Sequence, residues 1–308
     1  MCSSDLKQIP TAWGYKPAIR RSGHGVAPYA EARFNVDADM FFYVKYAQGW
    51  KTPSLFESTL GNSTSAPVAD LKPEKNRSWD IGFSLLKQDL WRDGDRLAFK
   101  VAWFKNDIDN AITRRFDSSN WAFYVDNVDN YTVSGYELQS GYDAGIAYLD
   151  LSASYYQRAR TCDAATAKRL RDEPYAKWSK LDTTPDCVDG GFGTSFVNAQ
   201  NPPKYSIHST LGFRLFDRRL DAGIRRTYNS GPTHELDKPW NTTGSTGLQN
   251  IYLPTAIYDF YARWQFTPRT EVELVVNNLR NTYYMDTLAM SLMPGPGRTT
   301  RLSFTARF

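Results

Sequence analysis

The sequence predicts an all-β fold, an antiparallel transmembrane β-barrel with about eleven of its strands in this chain. Three observations predict it. Apolar and polar residues alternate with period two over most of the chain, as strands with two unlike faces require. The connections alternate between short turns and mostly long polar segments, the rule of outer-membrane barrels. Aromatic residues are abundant, with 9 Trp, 19 Tyr and 17 Phe in 308 residues. Several of them, such as Trp50, Trp79, Tyr258 and Trp264, stand near run ends, where interfacial girdles form. That aromatic content argues against intrinsic disorder. No stretch reaches the roughly 18 consecutive apolar residues of a transmembrane helix. A net charge of +4, from 37 Lys+Arg and 33 Asp+Glu, gives no reason to expect a nucleic-acid partner.

Residues 1–25 are set apart as a non-native or disordered N-terminal segment, and 26–308 are taken as barrel. Met1-Cys2-Ser3-Ser4-Asp5-Leu6 lacks the basic region and apolar core of a signal peptide and reads as translated adapter sequence. Strands are expected near 26–35, 39–50, 73–86, 95–115, 121–143, 146–160, 203–216, 219–230, 255–267, 270–279 and 298–308. The alternation is clearest late in the chain. Ala256, Tyr258, Phe260, Ala262, Trp264 and Phe266 fall on one face, against Asp259, Tyr261, Arg263 and Gln265 on the other. Val272, Leu274 and Val276 oppose Glu271, Glu273 and Asn277, while Ile207, Ser209, Leu211, Phe213 and Leu215 oppose His208, Thr210 and Arg214. Earlier, Leu97, Phe99, Val101 and Trp103 repeat the pattern, as do Trp79, Ile81, Phe83 and Leu85. Short turns fall at Asp37, Asp93-Gly94, Asp143-Ala144-Gly145, Asp217-Arg218-Arg219 and Thr267-Pro268-Arg269. The long segments are 51–72, 161–202, 231–254 and 280–297, and 116–120 is a short exception. Consecutive strands should all pair antiparallel, with no helix beyond about two turns.

Cys162 and Cys187 lie in the long segment 161–202. Their pairing would close a loop and suit an oxidising compartment; the alternative is two free thiols. The last run, Leu302, Phe304, Ala306 and Phe308 against Arg301, Ser303, Thr305 and Arg307, ends on an aromatic residue. It resembles the C-terminal signal that the barrel assembly machinery reads, with Phe308 as its key residue.

Several boxes carry a family resemblance. Tyr46-Ala47-Gln48-Gly49-Trp50-Lys51-Thr52-Pro53-Ser54-Leu55 resembles the "YAxGFRAPxL" box of TonB-dependent outer-membrane receptors. Leu71-Lys72-Pro73-Glu74-Lys75 followed by Trp79-Asp80-Ile81-Gly82 resembles their "NPNLKPE…WExG" box. Asp95–Lys100 with Phe104–Asn110, Asn127 through Gly135-Tyr136-Glu137, and Pro296-Gly297-Arg298-Thr299 with the closing Phe-Thr-Ala-Arg-Phe continue the likeness. The order and spacing cover about residues 26–308, and the wording is nearest the haem-acquisition receptors. The resemblance implies a 22-stranded barrel around a plug, of which this chain would be the C-terminal half in a truncated gene product. It implies residence in the outer membrane of a Gram-negative bacterium, among its lipids. It further implies haem or a haem-carrier protein as ligand, and coupling to the TonB complex through a plug that lies outside this chain. Haem would be cargo, not a catalytic cofactor. The C-terminus would be periplasmic and the long loops external.

In haem receptors the loop between the first two boxes commonly supplies a His or Tyr to haem iron, yet Ser54–Asp70 holds neither. The outer ligand must then come from elsewhere. His234 is the first candidate, as the single His on a long external loop, and Tyr252 is the alternative. The bland reading of His234 is a solvated loop residue. His208, lumen-facing in mid-strand with Lys204 and Arg214 on the same face, reads as a hydrogen-bonded wall residue. Arg158, Arg160, Lys168, Arg169 and Arg171 could attract anionic ligands or simply be solvated. Asp107 and Asp109 lack a His, Ser or Cys partner nearby, and no catalytic triad, phosphate loop, metalloprotease motif or zinc spacing is present. A siderophore or other nutrient receptor is the alternative within the fold. A barrel enzyme and a passive porin are the readings from other classes.

Overall fold

In a computed structural model, the backbone is described for 2–6, 9–11, 14–16 and 19–23. Residues 25–54, 57, 71–117, 122–193, 201–234, 238–242, 253–285 and 294–308 are also described. The first two of these groups of segments differ in kind. Cys2–Leu6 (β1), Ile9–Thr11 (β2), Gly14–Lys16 (β3) and Ile19–Gly23 (β4) pair as β1 with β4 and β2 with β3, antiparallel. Within the segment 1–25 these described stretches are extended and paired, off the main sheet.

The main sheet follows. Its strands are Tyr29–Asn35 (β5), Met40–Lys51 (β6), Glu74–Gln88 (β7), Arg96–Asp117 (β8), Ala122–Asp143 (β9), Ala147–Cys162 (β10), Cys187–Asp189 (β11), Tyr205–Leu215 (β12), Leu220–Asn229 (β13), Thr255–Thr267 (β14), Thr270–Asn277 (β15) and Thr299–Ala306 (β16). The order runs β16 back to β5 with each strand beside its neighbour in sequence, and β11 joins only the loop end of β10. Every pairing is antiparallel. The eleven expected strands are all present; β11 is the addition, inside the segment read as strand-poor. Among the described residues the helices are the eight-residue Ala164–Arg171 (α1) and the four-residue Pro239–Thr242 (α2).

The register sorts side chains into horizontal rows. One row crosses the outer face as Ile81, Trp103, Tyr136, Tyr155 and Tyr205. Tyr136 stacks on Tyr155 at 6.4 Å and Tyr205 on Tyr228 at 5.9 Å, while Tyr46 meets Trp79 at 4.8 Å. Such pairs contribute about 0.5–1.5 kcal/mol each beyond area burial. A second aromatic group lies toward the turn end, where Phe216, Trp264 and Phe266 meet. Between the two lie outward residues with no protein cover. Leu302 is 72% and Phe304 68% exposed, and Leu149, Leu211 and Ile224 are exposed too. An apolar band flanked by two aromatic rows is what lipid, and not water, accommodates.

The inner face is polar and hydrogen-bonded. Tyr43 donates to Asp80 at 2.7 Å, and Tyr148 donates to Asp221 at 2.8 Å while meeting the Tyr261 hydroxyl. Arg214 reaches Asp143 at 2.8 Å and lies over the Tyr148 ring. His208 also sits on this face, opposite Ser152 and Thr227, as a wall residue. Glycines make room for the tyrosine rings. A Cβ on Gly212 would stand 2.2 Å from Cζ of Tyr148, and one on Gly223 would stand 2.8 Å from Cζ of Tyr261. Gly212→Val should therefore expel Tyr148 and cost about 1–3 kcal/mol. Urea unfolding in lipid vesicles checks this, with the outward Ser209→Val as the control that loses nothing; equal stabilities of the two variants would count against the packing argument.

Candidate functional site

The described loop-end structure has two parts. The first is a clamp built from the motif residues. Lys51 bridges Glu74 at 3.3 Å and Glu57 at 2.9 Å, and Glu74 also accepts the Ile112 N–H at 2.6 Å. Asn127 holds Lys72 from both sides, accepting its N–H at 2.8 Å and donating to its carbonyl at 3.0 Å; it donates to Asn110 O as well. Trp50 donates to Val26 O at 2.8 Å, with Lys75 over its ring. Leu71 is buried beside this network. Pro53 and Pro73 stand at the two mouths of the loop that follows β6, and Pro73 immediately precedes the start of β7. Trp50, Lys51, Leu71, Pro73 and Glu74 thus fix where that loop leaves and rejoins the sheet. Residues 58–70 lie outside the described residues.

The second part is a small folded unit on the loop end of β8 to β10. Asp163 caps α1 by accepting the Thr166 N–H at 2.9 Å, a favoured arrangement at helix starts. Arg115 donates to the Thr166 hydroxyl, and Asp129 accepts the Ala164 N–H, so the helix docks on β8 and β9. Ala167, Leu170, Ala176, Leu181, Val188 and Phe192 form a buried cluster against which Trp240 packs. Cys162 and Cys187, opposite each other in the β10–β11 ladder, are joined as a disulfide with Cα atoms 3.9 Å apart. Asn241 donates to Gly191 O, tying α2 to the same unit. A cleft of about 400 Å³ opens at its edge, lined by Arg160, Val188, Asp189, His234, Trp240 and Asn241.

His234 has a specific partner. The Ala159 N–H donates to its Nε2 at 3.1 Å, so that nitrogen is unprotonated and its lone pair is engaged. Ala159 lies where β10 has run past the end of β12 and β11 has not yet begun to pair. The imidazole fills that gap as an edge cap. Burial holds His234 below its ordinary value of 6.5; Arg158 and Lys204 push the same way and Asp189 opposes them. The solvated-loop reading of His234 is therefore corrected, and as an iron ligand it would first have to give up Ala159. Tyr252 lies outside the described residues. The five cations read as one group are split. Lys168 pairs with Asp172 and Arg171 with Asp186 on the helical unit, whereas Arg158 and Arg160 stand on the outer face of β10. Phe308 is fully exposed, two residues past β16. Among the described residues no group of His, Cys, Asp and Glu has the geometry of a metal site.

Comparison with known proteins adds the following. The profile described as "TonB dependent receptor-like, beta-barrel" matches residues 6–279, beginning inside the segment 1–25. The "Hemophilin receptor" of Acinetobacter baumannii is 32% identical over 99% of this chain and 29% of its own length. The "TonB-dependent heme receptor A" of Haemophilus ducreyi is 23% identical over 92% of this chain and 38% of its own. Among solved structures, a double mutant of the Serratia marcescens hemophore receptor HasR, in complex with its hemophore HasA and heme, aligns with a TM-score of 0.67. It is 26% identical and covers 94% of this chain and 41% of that one. This chain thus spans about a quarter to two-fifths of the relatives it matches.

Two outcomes follow from the geometry. The disulfide closes a loop of 25 positions, which the chain-entropy model values at about 3 kcal/mol. Phosphine reduction should open tryptic sites between 163 and 186 while the barrel keeps its unboiled gel mobility; an unchanged digest would refute the staple. For His234 the folded pKa is lowered, so its bond to Ala159 is complete above 6.5 and lost as pH falls through the lower folded value. Exchange of the Ala159 amide, corrected for its intrinsic rate, should rise between about pH 7 and pH 5 in wild type. In His234→Ala it should already be fast at the upper pH.

Proposed function

The chain belongs to the TonB-dependent receptor-like β-barrel family, and on that premise we propose that the complete protein is an outer-membrane receptor for energy-coupled uptake of haem. The observation that carries the cargo is the near-complete alignment with a hemophilin receptor, joined by other relatives named as heme or hemin receptors. The proposed setting is the outer membrane of a Gram-negative bacterium, with TonB engaged through a plug encoded outside residues 1–308. The family is one of receptors and transporters, and we propose no enzymatic activity for this member. A ferric-siderophore receptor is the second reading. It is favoured by the absence of His and Tyr from Ser54–Asp70.

A haem-carrier protein is the proposed source of the cargo. The stapled unit supports this reading, because it holds Tyr175 and Trp178 in water, the latter 89% exposed, on a folded base. Rigid, exposed aromatics are the usual anchors of protein contacts. His234 and Tyr252 remain the proposed outer haem ligands. Binding through His234 would exchange the Ala159 N–H for iron at Nε2, leaving one β10 donor unpaired.

Titrating haem into the complete receptor should produce a shifted Soret band that saturates at one equivalent. His234→Ala should weaken that binding about tenfold, the loss of one ligand worth about 1.4 kcal/mol. No shifted band, with tight binding of a ferric siderophore instead, would overturn the haem reading. A band unchanged in His234→Ala would keep the receptor and move the ligand to Tyr252.

A further inference from the structure

We propose that the cleft between β11, His234 and α2 is a binding site for a carboxylate borne on an apolar ring. Two side chains supply it with donors, and the first is Arg160. Asp189 is its cross-strand neighbour in the β10–β11 ladder, yet Arg160 makes no ion pair among the described residues. Its Nε is buried with no hydrogen-bond partner, a condition that native structures seldom leave unanswered. The Nε of Arg77 is buried unpaired too, but that guanidinium is held by Asp109 at 2.8 Å, whereas Arg160 lines an open cleft.

The second donor is His234. Its Nε2 accepts the Ala159 N–H at 3.1 Å, so the neutral ring carries its proton on Nδ1. That N–H has no partner among the described residues, and the ring lines the same cleft of about 400 Å³. A forked cation and a neutral N–H therefore serve one cleft, and a carboxylate has an oxygen for each.

A backbone irregularity sets the face of Arg160. Tyr156 pairs with Gly135 but Arg158 pairs with Ser134, so Gln157 is the extra residue of a bulge. Without it, Arg160 would take the face on which Ala159 and Thr161 are fully buried. Gly135 lets the strands close up there, since a Cβ would stand 2.1 Å from Tyr155 O.

The rest of the lining selects the ligand. Pro185, Val188 and Trp240 give the cleft an apolar side, which suits a ring. Asn241 also lines it, but its amide is committed to Asp189 O at 3.2 Å and Gly191 O at 2.6 Å. The Asp189 carboxylate adds negative charge beside Arg160, so a singly charged carboxylate is tolerated better than a doubly charged phosphate. A free aromatic acid and the propionate edge of a porphyrin both carry the required group. The site does not depend on haem as cargo, because a carboxylate takes the Nδ1–H of His234 while iron would take Nε2.

The test uses the complete receptor in neutral detergent above about pH 7, where the imidazole is neutral. The probe is para-fluorobenzoate, read by broadening of its fluorine resonance. Wild type should broaden the line, and unlabelled benzoate should sharpen it again. Arg160→Gln should weaken binding at least about tenfold, and Arg160→Lys, which keeps the charge without the fork, should weaken it less. Neutral para-fluorobenzamide should leave no broadening, and para-fluorophenyl phosphate should bind more weakly than the benzoate. Lys168→Gln/Arg169→Gln, cations of α1 outside the cleft, should behave as wild type. Unboiled gel mobility and tryptic resistance of 163–186 verify that each variant is folded. Equal binding by wild type and Arg160→Gln, equal binding of the amide, or tighter binding of the phosphate overturns the proposal. Zinc protoporphyrin and its dimethyl ester separate the two sources. Displacement of the probe by the diacid alone assigns the site to porphyrin propionates, and displacement by neither assigns it to a free acid; each outcome sustains a carboxylate site. The haem reading is followed separately by the Soret titration of Arg160→Gln, so either can fail while the other stands.

Discussion

The constraint on which the structure depends is the backbone hydrogen bond in a medium without water. Each unpaired N–H or C=O facing hydrocarbon costs several kcal/mol, so the chain crosses lipid only where both edges of each strand are paired. That requirement explains the order of β5 to β16, in which each strand of the main path follows its predecessor, with β11 aside, and every pair is antiparallel. Short turns suffice for such an order, and period-two alternation then divides each strand between lipid and interior. The apolar outer face is not a core. Among the described residues the compact buried cluster lies at the loop end, in the helical unit.

Past the lipid band the constraint changes, because water can satisfy the backbone but cannot hold a loop in place. Side chains take over the positioning. Asn127 holds Lys72 by both backbone groups, and Glu74 joins the end of one loop to β8 while pairing with Lys51 at its beginning. The disulfide continues the β10–β11 ladder covalently at its last pair. His234 supplies an acceptor where the ladder has a gap. Each device fixes a loop at its root, where a small displacement would be amplified toward the tip.

Legibility in the sequence follows the same division. Strands were readable because alternation is local, and Ala122–Asp143 or Thr255–Thr267 end within a residue or so of where the pattern breaks. The motif boxes pointed to Trp50, Lys51 and Glu74, but not to Glu57 as a second partner of Lys51, since that contact belongs to the folded loop. Helix α1 has a local signal, Asp163 ahead of Ala-Ala-Thr-Ala-Lys, but its eight residues are too few to show an apolar period. The role of His234 had none. Its partner is a backbone amide 75 positions away, exposed only by the unequal lengths of β10 and β12.

The loop end also inverts the polarity of the sheet. Within the lipid band the outer residues of β8 are Phe99, Val101 and Trp103; above it they are Lys105, Asp107 and Asp109, and the inner ones become Phe104 and Ile108. On β9 the inner face acquires Val133 and Tyr131 while Thr132 and Asn130 face out. Neither strand needs more than a change of composition at fixed alternation. On β10 the inversion is made by the extra residue instead. Below it Leu151, Ala153 and Tyr155 face lipid. Above it Ala159 and Thr161 turn inward and are fully buried, while Arg158 and Arg160 fall on the opposite face of the strand. A regular strand would put two guanidinium groups at the positions where Ala159 and Thr161 are fully buried, at a desolvation cost of several kcal/mol each. The bulge at Gln157 thus keeps both guanidinium groups out of those buried positions, and Gly135 opposite it is the residue that makes the bulge sterically possible.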